Sequence, residues 1–86
     1  MAKYKIEISR SAEKQLRKLP KDDQKRVVEA MLELGGHPLP RGARKLSGYD
    51  DVFRIRAGRY RILYSVSETE VIIIVLKIGH RKDVYR

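Results

Sequence analysis

The sequence predicts an α+β fold, β-α-α-β-β-β, with a helical hairpin packed on a mainly antiparallel four-stranded sheet. Three observations carry this. Polar and apolar residues alternate in KYKIEI at the start and again in VFRIRA and YRILYSV. Apolar residues recur at helical spacing between Ala12 and Leu34, broken once by Pro20. EVIIIVLKI is almost continuously apolar, the pattern of a central strand covered on both faces. With 86 residues and no linker, repeat or low-complexity tract, residues 1–86 form one domain.

Each element follows in turn. KYKIEI puts Tyr4, Ile6 and Ile8 on one side of a half-buried strand. Ser9 or Ser11 then caps a helix, with Glu13 placed early where negative charge suits the helix dipole. Ala12, Leu16 and Leu19 form its apolar stripe. Pro20 suits the first turn of a second helix, in which Val27, Val28, Met31, Leu32 and Leu34 make an apolar stripe and which ends at Gly35-Gly36. Residues 35–51 read as a long Gly- and Pro-rich loop. Strands are expected at 52–57, 60–66 and 70–78, and GHRKDVYR closes the chain as a loop or single turn.

Taking Gly58-Arg59 as a two-residue type II′ turn fixes the register of the hairpin. Ala57 then faces Tyr60, Arg56 faces Arg61, Ile55 faces Ile62, and Arg54 faces Leu63. Phe53, Ile55, Ala57, Tyr60, Ile62, Tyr64 and Val66 share one side and read as core. Arg54, Arg56 and Arg61 converge on the other, with Leu63 and Ser65. Neither strand offers a carboxylate, and like charges directly opposite destabilise a sheet. An anion that neutralises them on binding resolves the conflict, and arginine forks match phosphate oxygens. The plainer reading is a solvated face whose charges discourage edge-to-edge aggregation.

The formal charge of +9 is uneven. Residues 1–34 hold nine Lys/Arg against six Asp/Glu, and residues 41–64 hold seven against two. The excess therefore sits around the hairpin and points to an anionic partner. In the tail, His80 is of the residue type most used for proton transfer, Arg81 is a fixed cation, and Tyr85 brings a hydroxyl and a stacking plane. The bland alternatives are a surface histidine and a tyrosine that only packs the terminus.

Other chemistries find no support. The chain has no cysteine, so it has neither disulfides nor a thiolate site, and its two histidines lie far apart. No P-loop, Rossmann or nucleophile-elbow pattern occurs. MAKYKIEISR holds no apolar run of signal-peptide length, and Val71 to Leu76 is far too short to span a bilayer. A cytoplasmic protein with no membrane association is the expectation.

The element order, the segment KLSGYDDVFRIRAGRYRILYSV and the closing IVLKIGHRKDVYR resemble the RelE/ParE superfamily of toxins from type II toxin–antitoxin systems. The match covers essentially the whole chain. The arginine-rich hairpin and the terminal G-H-R-x-x-x-Y point within it to the RelE branch, the mRNA interferases. The resemblance implies a microbial-ribonuclease-like fold, and a metal-independent, cofactor-free endoribonuclease that cleaves mRNA in the ribosomal A site. It also implies neutralisation by a RelB-like antitoxin, through which the pair binds operator DNA. It assigns Arg61, Arg81 and Tyr85 to catalysis, with His80 as a candidate for acid–base work. Arg54, Arg56, Arg59 and Lys45 become substrate contacts. Where this branch has lysines on the strand, the chain has arginines, which stay protonated and so leave the base open. Two other readings stay open: a ParE-like inhibitor of DNA gyrase, and an RNA-binding module without catalysis.

Overall fold

A computed structural model of the chain describes residues 3–80. Its elements are β1 (Lys5–Ile8), α1 (Arg10–Arg17), α2 (Lys21–Glu33), β2 (Arg44–Lys45), β3 (Val52–Ala57), β4 (Tyr60–Ser67) and β5 (Ile72–His80). They form one sheet in the order β1-β5-β4-β3-β2. β1 runs parallel to β5, and every other pairing is antiparallel. The α+β class is as expected from sequence, but the sheet has five strands rather than four. The extra one, β2, is a two-residue edge inside the stretch read as loop.

Ser9 joins α1 to the sheet. In extended conformation at the N-cap, it accepts from the Ala12 amide at 3.1 Å through Oγ, and the same hydroxyl donates to the Leu76 carbonyl at 3.0 Å. β1 pairs with β5 only as far as Val75, which would leave the rest of that side of β5 open. α1 closes it: besides the Ser9 bond, Gln15 Oε1 accepts from the Ile78 amide at 2.8 Å.

Pro20 stands at the N-cap of α2, one position before its expected place in the first turn. Asp22 and Asp23 in the first turn suit the dipole there. Gln24 binds back to the carbonyls of Arg17 and Leu19, fixing the angle between the helices. Just past the other end, Gly35 lies so close to Tyr4, the residue before β1, that a Cβ would meet the Tyr4 carbonyl at 3.2 Å, which favours glycine there.

The core lies between helices and sheet. Ala12, Val27, Met31 and Leu34 pack on Ile55, Ala57, Ile62, Tyr64, Ile73, Val75 and Ile78. The face forecast for the hairpin is the buried one, with Phe53, Tyr60 and Val66 at its margin. Tyr64 is wholly buried and donates its hydroxyl to the Pro38 carbonyl at 2.7 Å, which ties the long loop to the core. β5 differs from expectation. It is central, yet only one face lies under helices, and Ile72, Ile74 and Leu76 remain half-buried.

The hairpin has the forecast register, with Ala57 opposite Tyr60 and Arg56 opposite Arg61. Gly58 has φ +63°, while Arg59 is not in the left-handed region, the combination a type II′ turn requires. On β5 the ladder steps from Leu63–Lys77 to Tyr64–Val75. Leu76 is therefore a bulge residue, and the alternation of side chains shifts by one beyond it.

Candidate active site

Backbone register builds a cationic surface on the side of the sheet away from the helices. β3 contributes Arg54 and Arg56, and β4 contributes Arg61. β2 adds Arg44 directly opposite Arg54, and β5 adds Lys77 opposite Leu63 and Gly79 opposite Arg61. Two arginine pairs thus face each other across neighbouring ladders, Arg44–Arg54 and Arg56–Arg61. Such pairs cost stability in the free protein. Among the described residues no carboxylate pairs with Arg44, Arg54 or Arg56; the ion pairs there are Lys5–Glu7 and Arg17–Glu13, both elsewhere.

The floor between these cations is apolar. Leu63 is only 8% exposed and lies in register between Arg54 and Lys77. Arg61 is half-buried, with its Nε withdrawn from solvent. Charges over such a floor are screened less than charges in open water, so an anion there is held more firmly. Gly79, opposite Arg61, adds no side chain of its own to this face.

The other sequence-nominated residues divide. Lys45 is opposite Phe53 and so belongs to the helix side of the sheet, exposed at its edge. Arg59 is exposed at the turn, and the Arg26 guanidinium of α2 lies over the same turn, 2.8 Å from where a Gly58 Cβ would be. His80 is opposite Tyr60, their ring centroids 5.9 Å apart and edge to face. The bulge at Leu76 turns it to the helix side, away from Arg54, Arg56 and Arg61. There the Tyr60 hydroxyl donates to Asp23 at 3.3 Å. Partial burial raises the Tyr60 phenol above its ordinary value, the Asp23 carboxylate and this hydrogen bond add to the rise, and Arg59 opposes it. Arg81 and Tyr85 lie outside the described residues.

Sequence reasoning missed Arg44, Lys77 and Arg26. Nothing in GARKLSG alternates, so a two-residue strand there carries no signal. Lys77 joins the cationic face through pairing with Leu63. Among the described residues no group of histidine, cysteine, aspartate and glutamate is arranged to hold a metal ion, and no helix is long and apolar enough to cross a membrane.

Residues 6–85 match the sequence profile of a family described as the ParE toxin of the type II toxin–antitoxin system. Toxin RelG of Mycobacterium tuberculosis is 34% identical over 87 residues, covering 96% of this chain and 97% of that protein. The fold matches a chain of the RelBE2 toxin–antitoxin complex from Mycobacterium tuberculosis with a TM-score of 0.83 at 30% identity, over 96% of this chain and 97% of that one. It also matches a chain of the archaeal RelE–RelB complex from Pyrococcus horikoshii, with a TM-score of 0.83 at 33% identity, over 95% and 99% of the two chains. Fold, length and sequence agree over nearly every residue: the chain belongs to the RelE/ParE superfamily of type II toxin–antitoxin toxins, and its relatives place it on the RelE side.

Proposed function

We propose that this toxin is a ribosome-dependent endoribonuclease that cuts mRNA in the decoding A site and so stops translation. The observation that carries the reading is the two cross-strand arginine pairs gathered on one sheet face, Arg44–Arg54 and Arg56–Arg61. In the reaction the 2′-hydroxyl of one nucleotide loses its proton and attacks the adjacent phosphorus. A P–O bond forms, the bond to the 5′-oxygen breaks, and that oxygen takes up a proton. Negative charge on the phosphoryl oxygens is greatest between those events. Arg54, Arg56 and Arg61 stabilise it as fixed cations, the contribution that is often largest in such sites. The nucleophile comes from the RNA itself, so this route needs no metal-bound water.

Arg81 stabilises the leaving group and Tyr85 stacks on or orients a base; both follow the family pattern rather than described geometry. His80 lies across the sheet from the clamp and is left out of the proton transfers. Lys45 and Arg59, at the sheet edge and the turn, serve the surrounding RNA by charge. Among the described residues the arginine face has cations but no row of aromatics to align single-stranded RNA, which is the part the ribosome supplies. A RelB-like antitoxin, as in the complexes above, silences the toxin by bringing acidic residues over this face or along a sheet edge, and links the pair to operator DNA. The site of action is then the cytoplasm.

The test adds purified toxin to ribosomes paused on a defined message, beside the same RNA alone, and maps new 5′ ends. Cuts at the A-site codon only in the presence of ribosomes are expected. The ParE description of the matching profile favours a second reading, inhibition of DNA gyrase. Intact message together with loss of gyrase supercoiling would replace the first reading with that one.

A further inference from the structure

β3 loses one neighbour before its last residues. β2 begins at Arg44, opposite Arg54, so Arg56 and Ala57 have β4 alone beside them in the sheet. In this register Ala57 and Tyr60 are the hydrogen-bonded pair that closes the two-residue turn. Arg56 and Arg61 form the next pair, of the kind in which opposite side chains come closest. The separation of their guanidinium groups therefore depends directly on how the tip of the hairpin is held.

The tip is held from the other side of the sheet, by α2. The Tyr60 hydroxyl donates at 3.3 Å to Asp23, in the first turn of that helix. Arg26, three residues on and so on the same helix face, lies against the turn. A Cβ on Gly58 would meet its Nη1 at 2.8 Å and its Cδ at 3.0 Å, so stem and guanidinium both rest on the turn's backbone. The two braces reach different points, the first residue of β4 and the residue that follows β3. Ala57, the other member of the last pair, is buried but packs with only a methyl group. The turn itself is specified by Gly58-Arg59, so these contacts do not make the hairpin; they aim it.

We infer that Asp23, Arg26 and Tyr60 are positioning residues for the arginine clamp. Through the turn they fix the spacing of Arg56 and Arg61, so that a phosphate meets two guanidinium groups already in place. Charge stabilises a transition state best when it is set before the reaction, and a misplacement of about 1 Å can cost roughly a hundredfold in rate. The three residues touch no substrate and act through the backbone of the tip. The inference rests on the ribonuclease reading for the reaction that this spacing serves; the brace itself is a property of the hairpin.

The experiment measures A-site cleavage over a range of ribosome concentrations for Tyr60→Phe, Asp23→Ala and Asp23→Asn, each shown by its unfolding transition to be folded. Tyr60→Phe keeps the ring and loses only the hydroxyl. It and Asp23→Ala should each lower the maximal rate about tenfold, with little change in the ribosome concentration that gives half of it. The two together should cost no more than either alone, because they are the two ends of one bond. Asp23→Asn should stay close to the unaltered rate, since its amide oxygen accepts the same bond. In parallel, inorganic phosphate is titrated into the isotope-labelled toxin and the Nε–H signals of Arg56 and Arg61 are followed. Tyr60→Phe and Arg26→Ala should each weaken phosphate binding at both signals.

Full cleavage by folded Tyr60→Phe would overturn the inference, as would an Asp23→Asn protein as impaired as Asp23→Ala. If the unaltered toxin cuts no message and Tyr60→Phe still weakens phosphate at Arg56 and Arg61, the ribonuclease reading falls and the brace stands. If the unaltered toxin cuts and Tyr60→Phe matches it in both assays, the brace falls alone.

Discussion

Arg56 stands directly opposite Arg61 in the β3–β4 ladder, on the face of the sheet that the helices leave uncovered. Two guanidinium groups in register repel, so the free toxin is less stable than the same fold with one of them neutralised. Arg56→Gln should raise the stability of the isolated protein by a few tenths to about 1 kcal/mol, measured by denaturant unfolding. The same change should lower A-site cleavage at least about tenfold. A variant that is both more stable and fully active would show that the pair has no part in the reaction.

The two residues of β2 face opposite ways, Arg44 towards the clamp and Lys45 towards the helix side. Arg44→Ala should weaken binding to single-stranded RNA and reduce the salt dependence of that binding by about one unit of slope. Lys45→Ala should change the slope less. Equal effects would mean that RNA wraps the edge without regard to face.

For His80 the expectation follows from its contact with Tyr60. His80→Ala should keep the ribosome-dependent cleavage rate within about threefold of the unaltered toxin. A loss of about a hundredfold, the low end for a general acid or base, would return His80 to the proton transfers.

Tyr64 supplies a pH dependence of stability. Burial pushes its phenol up to about 12 from an ordinary 10.0. Below pH 10 the folded and unfolded chains both keep this proton, and the contribution is fully present. Between pH 10 and 12 the unfolded chain gives the proton up while the folded one retains it, so stability falls as pH rises. The loss attributable to Tyr64 should be roughly 2–3 kcal/mol. Tyr64→Phe should lack this portion of the alkaline decline, at the cost of about 1 kcal/mol at neutral pH for the lost bond to Pro38. Identical slopes for the two proteins above pH 10 would refute the assignment.

Ser9→Ala removes a helix cap and a bond to β5 at once. Equilibrium unfolding should show a loss of about 1–2 kcal/mol. Ser9→Asp keeps an acceptor for the Ala12 amide but has no proton for the Leu76 carbonyl, so it should fall between the two. If Asp restored full stability, the bond to β5 would contribute nothing.

Much of this architecture was legible in the sequence for identifiable reasons. Gly58-Arg59 permits one short turn, the turn sets the register, and period-2 alternation then sorts Arg54, Arg56 and Arg61 from Ile55, Ile62 and Tyr64. The helices follow from Ser9, Pro20 and the spacing of Ala12, Val27 and Met31. β2 was hidden because two residues have no period. The side taken by His80 was hidden for a different reason. The run IIIVLKI is apolar on both alternating sets, so nothing in it marks Leu76 as the bulge that moves Ile78 and His80 to the helix side.

The parallel pairing of β1 with β5 bears on when this toxin becomes dangerous. β1 has no neighbour in the sheet except β5, and Ser9 reaches Leu76 across a separation of 67 residues. Contacts so distant in the chain form late in folding. While the polypeptide is being synthesised, the first strand and α1 have no sheet to rest on, and β4 lacks the neighbour that brings Lys77 and Gly79 beside its arginine. A nascent chain whose β5 is still inside the exit tunnel therefore has no finished arginine face. That interval, set by chain order alone, gives an antitoxin made nearby its opportunity to meet the toxin as it folds.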